Sequence, residues 1–418
     1  MKTENRRVVI TGMGTLNPMG NDVAETWAGI KSGRNGIGPI TRFDAAACKT
    51  QFAGEVKEFD PVARFGRRGA RRMDRVTQLG LAAAEEAVAD ARLTITEENG
   101  GRIGVIMGSG MGLMQPMVDA ADILQRRGPG RVSPFFVPMM LADTPAAMIS
   151  IAHGLRGPNL AVYTACASGN NALGEAAVTI QRGAADVMLA GGAEACVLPL
   201  ALAGFNVMGA VSTRNETPQT ASRPFDKTRD GFVVSEGAAV LVLEALAHAQ
   251  ARGAAIYGEL AGYGASADAH HITVPPADGG GAAQAMRLAL ADAGLEPAQV
   301  DYINAHGTST PLNDTSETAA IKSVFGEKAY EIPISSTKSM HGHLLGATGA
   351  LEAILCLKSI AAGLIPATIN YTTPDPDCDL DYTPNVPREA NLQVVMSNTF
   401  GLGGHNATLL FRRWKGSQ

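Results

Sequence analysis

Leu160-Ala-Val-Tyr-Thr-Ala-Cys166-Ala-Ser-Gly-Asn-Asn-Ala-Leu173 is the stretch on which the reading of this chain turns. Its first six residues form an apolar run that predicts a buried strand. From there Leu173, Ala176, Ala177 and Ile180 fall on one helix face, and Gly183 is a natural stop. Cys166 therefore stands where strand becomes helix. Free N–H groups and the positive end of the helix dipole meet there, and both lower a thiol pKa toward the reactive thiolate. A purely structural reading competes, because an unpaired cysteine commonly packs as a small buried hydrophobe. The stretch alone leaves both readings open.

The remaining composition narrows the class. A chain of 418 residues with 45% hydrophobic content can bury a large core in two halves. A net charge of −5 argues against a nucleic-acid partner. The five cysteines, at 48, 166, 196, 356 and 378, have no paired spacing, as expected of free thiols in a reducing compartment. The N-terminal Met1-Lys-Thr-Glu-Asn-Arg-Arg-Val-Val-Ile has no signal-like pattern. No run reaches the ~20 apolar residues of a membrane helix. The expectation is a cytoplasmic protein with no membrane insertion.

Along the chain, strand-like and helix-like segments alternate, which favours an α/β fold. Arg7 to Gly12 reads as a first strand ending at Gly12-Met-Gly14, and Arg102 to Gly108 as another. The following Gly108-Ser-Gly-Met-Gly112 lacks the spacing of a dinucleotide loop. Arg64, Arg67, Arg68, Arg71, Arg72 and Arg75 form a basic cluster in an acidic chain, with Arg126, Arg127 and Arg131 as a second spot. Local reversal of charge can steer an acidic partner. A second strand–turn–helix runs from Ile332-Pro-Ile-Ser-Ser through Lys338 and His343 to a helix that closes at Gly363. It echoes the cysteine turn, and places Lys338 and His343 where Cys166 stands. A duplicated half with a boundary near residue 256 explains this, with residues 1–255 carrying the nucleophile and dimer or cap insertions, and 256–418 the histidines and lysine.

Metal-ligand spacing is missing, so no metal is expected. A Cys/His nucleophile–base pair remains open. His306 gains weight because it ends a strand before Gly307-Thr-Ser-Thr310.

Four motifs then fall into one order: Thr164-Ala-Cys166-Ala-Ser-Gly169, Asn304-Ala-His306-Gly-Thr-Ser-Thr310, Ser336-Thr-Lys338-Ser-Met-His-Gly-His343-Leu-Leu-Gly-Ala347 and Ser397-Asn-Thr-Phe400-Gly-Leu-Gly-Gly404. Together they resemble the β-ketoacyl-[acyl-carrier-protein] synthases of the thiolase superfamily, in their bacterial type II branch. The resemblance implies a thiolase-like five-layered αβαβα fold from two similar halves, a homodimer, and an acidic acyl carrier protein as partner. It implies no cofactor beyond the phosphopantetheine that the carrier brings. Cys166 would carry the acyl chain, with the N–H groups of Cys166 and Phe400 as oxyanion hole and Phe400 as gate. His306 and His343 would support malonyl decarboxylation, Lys338 would hold them, and Glu317 would be linked to Lys338. Thr273, Thr308 and Thr310 would meet pantetheine, and Met111, Phe136 and Phe205 the acyl chain. Arg64, Arg67, Arg68, Arg71, Arg72 and Arg127 would dock the carrier. His341 stands where the family commonly has threonine, and is given no catalytic role. The alternatives are a ketosynthase of a type II polyketide system, a non-catalytic chain-length partner, which would lack the nucleophile, and a cysteine hydrolase.

Overall fold

The computed structural model describes residues 6–416, so the first five residues of the N-terminal stretch lie outside it. Ten strands form the main sheet: β1 (Val8–Leu16), β2 (Ile103–Gly108), β3 (Asn159–Val162), β4 (Val187–Glu194), β5 (Gly237–Ala245), β6 (Gly258–Ala267), β7 (Tyr302–Asn304), β8 (Ile334–Ser335), β9 (Val394–Gly401) and β10 (His405–Arg412). Their order is β8-β7-β9-β10-β6-β1-β5-β4-β2-β3. One five-stranded pattern is thus used twice. In the first half β2 runs parallel to β3 and β4, and β5 is antiparallel to β4 and β1. In the second, β7 runs parallel to β8 and β9, and β10 is antiparallel to β9 and β6. Within the sheet the halves meet through two residue pairs, Val9 with Glu259 and Ile10 with Gly258.

Parallel strands need crossover connections, so helices cover both faces. Five matter most: α1 (Arg75–Asp90), α2 (Ser168–Gln181), α3 (Gly280–Ala293), α4 (Pro311–Phe325) and α5 (Thr348–Ala362). α1 covers the outer face of the first half, and α3 and α4 that of the second. α2 and α5 lie between the halves and touch strands of both. The result is five layers, helix–sheet–helix–sheet–helix, in a thiolase-like fold.

The sequence shows why the layers close so tightly. β1 runs through Gly12-Met-Gly14 instead of ending there, because α1 lies flush on those glycines: an added Cβ would stand 2.3 Å from the Ala87 carbonyl oxygen and 2.1 Å from that of Ala83. The second half repeats the device with Gly262 and Gly264 of β6, 2.3 and 2.1 Å from the Ala289 and Ala285 carbonyl oxygens of α3. β3 departs from the expected buried strand. It is the sheet's edge, and Leu160 is 51% exposed. The stretch Leu345–Ala362 is long and apolar enough to cross a membrane, yet 83% of it is buried inside the protein as α5 and its preceding turn.

α2 and α5 approach at their N-termini through two glycines. A Cβ on Gly169 would sit 2.8 Å from the Ala350 nitrogen, and one on Gly349 2.5 Å from Asn170 Oδ1 and 2.9 Å from its nitrogen. Gly349→Ala should therefore destabilise the protein by about 1–3 kcal/mol in urea unfolding. Gly204→Ala, whose Cβ meets nothing in the helix Pro199–Met208, should instead be neutral or stabilise it.

Candidate active site

The chain leaves β3 and makes a single 3₁₀ turn, Ala165–Ala167, before α2. Ala165 sits in the left-handed region at φ 50°, a conformation that costs ~1–2 kcal/mol. Ser168 holds the turn: its Oγ accepts the Thr164 N–H at 2.9 Å and donates to the Ala165 carbonyl at 2.7 Å. The second half repeats the geometry. Leu345 has φ 45°, the 3₁₀ turn is Leu345–Ala347, and α5 follows. By position in the turn, the counterpart of Cys166 is thus Gly346. This corrects the expected equivalence with Lys338 and His343, which precede the turn, Lys338 in a short helix, Lys338–His341.

His343 Nε2 lies 3.1 Å from Cys166 Sγ, and His343 Nδ1 lies 3.0 Å from Thr348 Oγ1 on the first residue of α5. The His306 ring stands 5.4 Å from that of His343 at 81°, and 5.7 Å from that of Phe400. Ligand-type atoms of Cys166, His306 and His343 all fall within 4.8 Å of one another. His341 is spent elsewhere: its ring nitrogens meet the Gly342 carbonyl at 2.7 Å and Thr337 Oγ1 at 3.0 Å.

Lys338 is buried, and its Nζ bonds Glu352 Oε1 at 2.6 Å. Glu352, not Glu317, is the lysine's ion-pair partner. It was legible only as a carboxylate inside the apolar stripe of α5. Glu317 does a different job from α4: it accepts the backbone N–H groups of His306 at 2.8 Å and Gly307 at 2.7 Å, fixing the chain where β7 ends. Burial pushes both carboxylates up to about 7.

Burial, and then the Lys338 charge, hold His306 and His343 well below the ordinary histidine range. Both are neutral near pH 7. Burial also pushes the Cys166 thiol up to about 11, against the pull of the Leu402 N–H and the Lys338 charge. The low thiol pKa expected at a helix N-terminus is therefore corrected. Desolvation of the thiolate outweighs the helix end, and a neutral thiol faces a neutral imidazole.

A cavity of about 420 Å³ opens onto this set. Met111, Phe205, Leu345 and Phe400 supply apolar lining; Thr273, Thr308 and Thr310 supply hydroxyls. Thr308 and Thr310 bond each other at 2.8 Å. Phe136 is not in the lining. It is half-buried on the short helix Phe136–Met140, in a segment that exposes Val118, Leu124, Val137 and Leu141. Gly401 brings the end of β9 against the nucleophile: a Cβ there would stand 3.0 Å from the Cys166 nitrogen.

The basic cluster divides. Arg75 turns inward to Glu236 at 2.7 Å, which removes it as a docking residue. Arg64 pairs with Glu85 at 2.8 Å, Arg126 pairs with Asp122 at 2.6 Å, and Arg72 lies 4.7 Å over Phe135. Arg67, Arg68, Arg71 and Arg127 are exposed and have no ion-pair partner among the described residues.

The fold is that of a thiolase-like acyltransferase, with a buried cysteine at the cavity. The chain belongs to the β-ketoacyl synthase family: residues 5–249 match the family's N-terminal domain and residues 257–372 its C-terminal domain. The 3-oxoacyl-[acyl-carrier-protein] synthase 2 of Synechocystis sp. is 50% identical over 412 residues, covering 99% of both chains. The protein of the same name from Staphylococcus aureus (strain COL) is 51% identical, covering 99% of this chain and 100% of its own. Among solved structures, a β-ketoacyl synthase from Burkholderia phymatum superposes with TM-score 0.91 at 40% identity, covering 98% of this chain and 100% of that one. A type II polyketide ketosynthase, solved with its acyl-carrier protein, gives 0.91 at 36% identity over 99% and 100%.

The electrostatics predict a reactivity profile. Alkylation of Cys166 by iodoacetamide should keep accelerating from about pH 7 to beyond about pH 9, since the thiolate is the reacting form and the thiol pKa is raised. Lys338→Met should slow it further at any one pH, by removing the nearby positive charge. A rate already level below pH 7 would contradict this account of the site.

Proposed function

We propose that this enzyme condenses malonyl-[acyl carrier protein] with an acyl chain held on Cys166, with loss of carbon dioxide, in fatty-acid elongation. The observation that carries this reading is the buried Cys166–His343–His306 set at the head of an apolar-lined cavity. In the first stage Cys166 Sγ attacks the carbonyl carbon of the acyl thioester. The charge on the carbonyl oxygen falls to the N–H groups of Cys166 and Phe400, and the pantetheine thiol leaves with the proton that Cys166 gives up. In the second stage the C–C bond to the malonyl carboxylate breaks. The electron pair becomes an enolate, with its oxygen held by His306 and His343. The enolate carbon then attacks the acyl carbonyl, and the bond to Sγ breaks; the thiolate released takes one proton, delivered from water, to return to the thiol.

The neutral state of both imidazoles suits that role, because each can present one N–H to the developing oxyanion. In this reading the Thr348 hydroxyl donates to His343 Nδ1, which leaves the proton on Nε2, toward Cys166. Each such donor contributes roughly 3–4 kcal/mol to the transition state. Lys338 disfavours the imidazolium form, and Glu352 compensates its charge. The same buried cation opposes a metal ion at the Cys/His/His set, so the reading requires no metal and no cofactor resident on this chain. Thr273, Thr308 and Thr310 would meet the pantetheine arm, and Met111 and Phe205 the acyl chain.

The partner in this reading is an acidic acyl carrier protein, docked on Arg67, Arg68, Arg71 and Arg127, with Arg64 and Arg72 beside them. The ketosynthase neighbour solved with its carrier protein supports this. The compartment would be the cytoplasm. A homodimer is favoured by the edge strand β3 with Leu160 exposed, and by Ile151 at 73% exposure in the helix before it. The second reading, a polyketide ketosynthase, draws on that same neighbour at 36% identity, while the relatives near 50% favour fatty-acid elongation.

Cys166→Ala should keep the wild-type circular dichroism and lose condensation with malonyl- and acyl-carrier proteins, as read by mass spectrometry. Full activity in that variant would overturn the mechanism. His343→Ala should cut malonyl decarboxylation by about 100-fold or more; an unchanged rate would remove His343 from the enolate step. For the dimer, sedimentation should show two copies for the wild type and one for a Leu160→Lys, Ile151→Asp double variant.

A further inference from the structure

Behind the nucleophile turn lies a carboxylate that the mechanism above does not use. Glu194 ends β4 and is wholly buried. Its Oε2 accepts the backbone N–H groups of Gly110 at 2.7 Å, Gly346 at 3.1 Å and Met111 at 3.2 Å. Its Oε1 accepts Ser109 Oγ at 3.2 Å and shares the Met111 N–H at 3.3 Å. Ser109 Oγ in turn accepts the Gly112 N–H at 3.1 Å. One carboxylate thus holds a loop of the first half, Ser109 to Gly112, and the turn of the second half that contains Gly346. Both segments line the cavity, through Gly110, Met111 and Leu345. Space at the clamp is minimal, since a Cβ on Gly346 would stand 2.2 Å from the Gly110 nitrogen.

Burying a carboxylate is costly unless its oxygens are fully satisfied. Here they are, and every donor comes from the cavity wall or from a residue adjoining it. An apolar residue would fill the space but leave the N–H groups of Gly110, Met111 and Gly346 unpaired. Met111 is the member of this set that faces the acyl chain, in the apolar cluster with Cys166, Phe205 and Leu345.

We propose that Glu194 is a positioning residue for acyl-chain selection: by clamping the 109–112 loop to the second turn, it fixes where Met111 stands in the cavity and hence which chain lengths Cys166 accepts. The proposal rests on the acyl-transfer reading above. A short acyl group stays beside Cys166 and does not depend on Met111. A long one has to pass along Met111 and Phe205, and needs that wall in place before it binds.

Glu194→Gln is a graded test. The amide oxygen in the Oε2 position can keep Gly110, Gly346 and one arm of the Met111 N–H, while the amide nitrogen in the Oε1 position can no longer accept from Ser109 Oγ and sets its own N–H donors against that of Met111. The full-length enzyme is incubated with butanoyl-, octanoyl- and hexadecanoyl-carrier protein, and acylation of Cys166 is timed by intact-protein mass spectrometry. The ratio of hexadecanoyl to butanoyl rates should fall by about tenfold, with malonyl decarboxylation changed by less than about twofold. In a Met111→Ala background the same change should leave the ratio where Met111→Ala alone puts it. An equal loss at every chain length, or an unchanged ratio, overturns the proposal. Should Glu194→Gln fail to fold, Ser109→Ala removes the hydroxyl between Glu194 and Gly112 and reads the same ratio. A lowered ratio there supports the clamp and an unchanged one overturns it. If the wild type accepts no acyl group from any carrier protein, the function itself fails, which is a separate result from a failure of the clamp.

Discussion

Two helix N-termini that nearly touch govern this molecule. α2 and α5 begin at 3₁₀ turns; Gly169 and Gly349 let the two helix starts meet backbone to backbone, and Gly346 lets the second turn meet the 109–110 loop. A single methyl group at any of them would collide with main-chain atoms or with Asn170. The contact adds to the seam of the sheet, where two residue pairs join the halves. It also fixes the chemistry. Cys166 stands on one turn, and the segment bearing His343 leads directly into the other. The 3.1 Å between Sγ and Nε2 therefore depends on how closely two helices pack, a distance that neither half can set alone.

The charge in the site follows from the same enclosure. Burial raises the cost of every ion in the site. One full cation is nevertheless kept there, Lys338, held by Glu352 at 2.6 Å. Its charge acts on all three neighbours: it adds to burial in holding His306 and His343 neutral, and it pulls the Cys166 thiol down from where burial alone would put it. The thiol stays high all the same.

Much of this was legible in the sequence. The nucleophile, both histidines and the lysine carry strong local patterns: a strand–helix switch at Cys166, a Gly-Thr-Ser-Thr loop after His306, and a second switch after Lys338 and His343. The duplication also showed, although in the wrong register, because a repeat of turn geometry is set by the left-handed residues Ala165 and Leu345 and not by the chemistry of their neighbours. What stayed hidden was contact across long sequence separations. Glu317 and Glu352 are both buried carboxylates near the histidine segments, and nothing in their local patterns assigns one to Lys338 and the other to the backbone of His306. The glycine pairs of β1 and β6 read as strand ends, since only the helix lying on them gives the absence of a side chain its meaning. Phe136 lies outside the cavity of the single chain, on a segment that turns Val118, Leu124, Val137 and Leu141 outward, a placement that an aromatic among methionines does not announce.

The two turns also show how a duplicated fold becomes an asymmetric site. Equivalent positions hold Cys166 in one half and Gly346 in the other, and the difference is enforced by space. The Gly346 position faces the Gly110 nitrogen so closely that no side chain fits, whereas Cys166 opens onto the cavity. The second half therefore cannot present a nucleophile at its own turn. It contributes from just before the turn instead, through Lys338 and His343, and from the end of β7, through His306. The Gly346 N–H left free by that loss is taken up by Glu194, from the half that bears the nucleophile. Each half thus supplies what the other half's turn lacks, so a shift of one half against the other would disturb Cys166, both histidines and the cavity wall together.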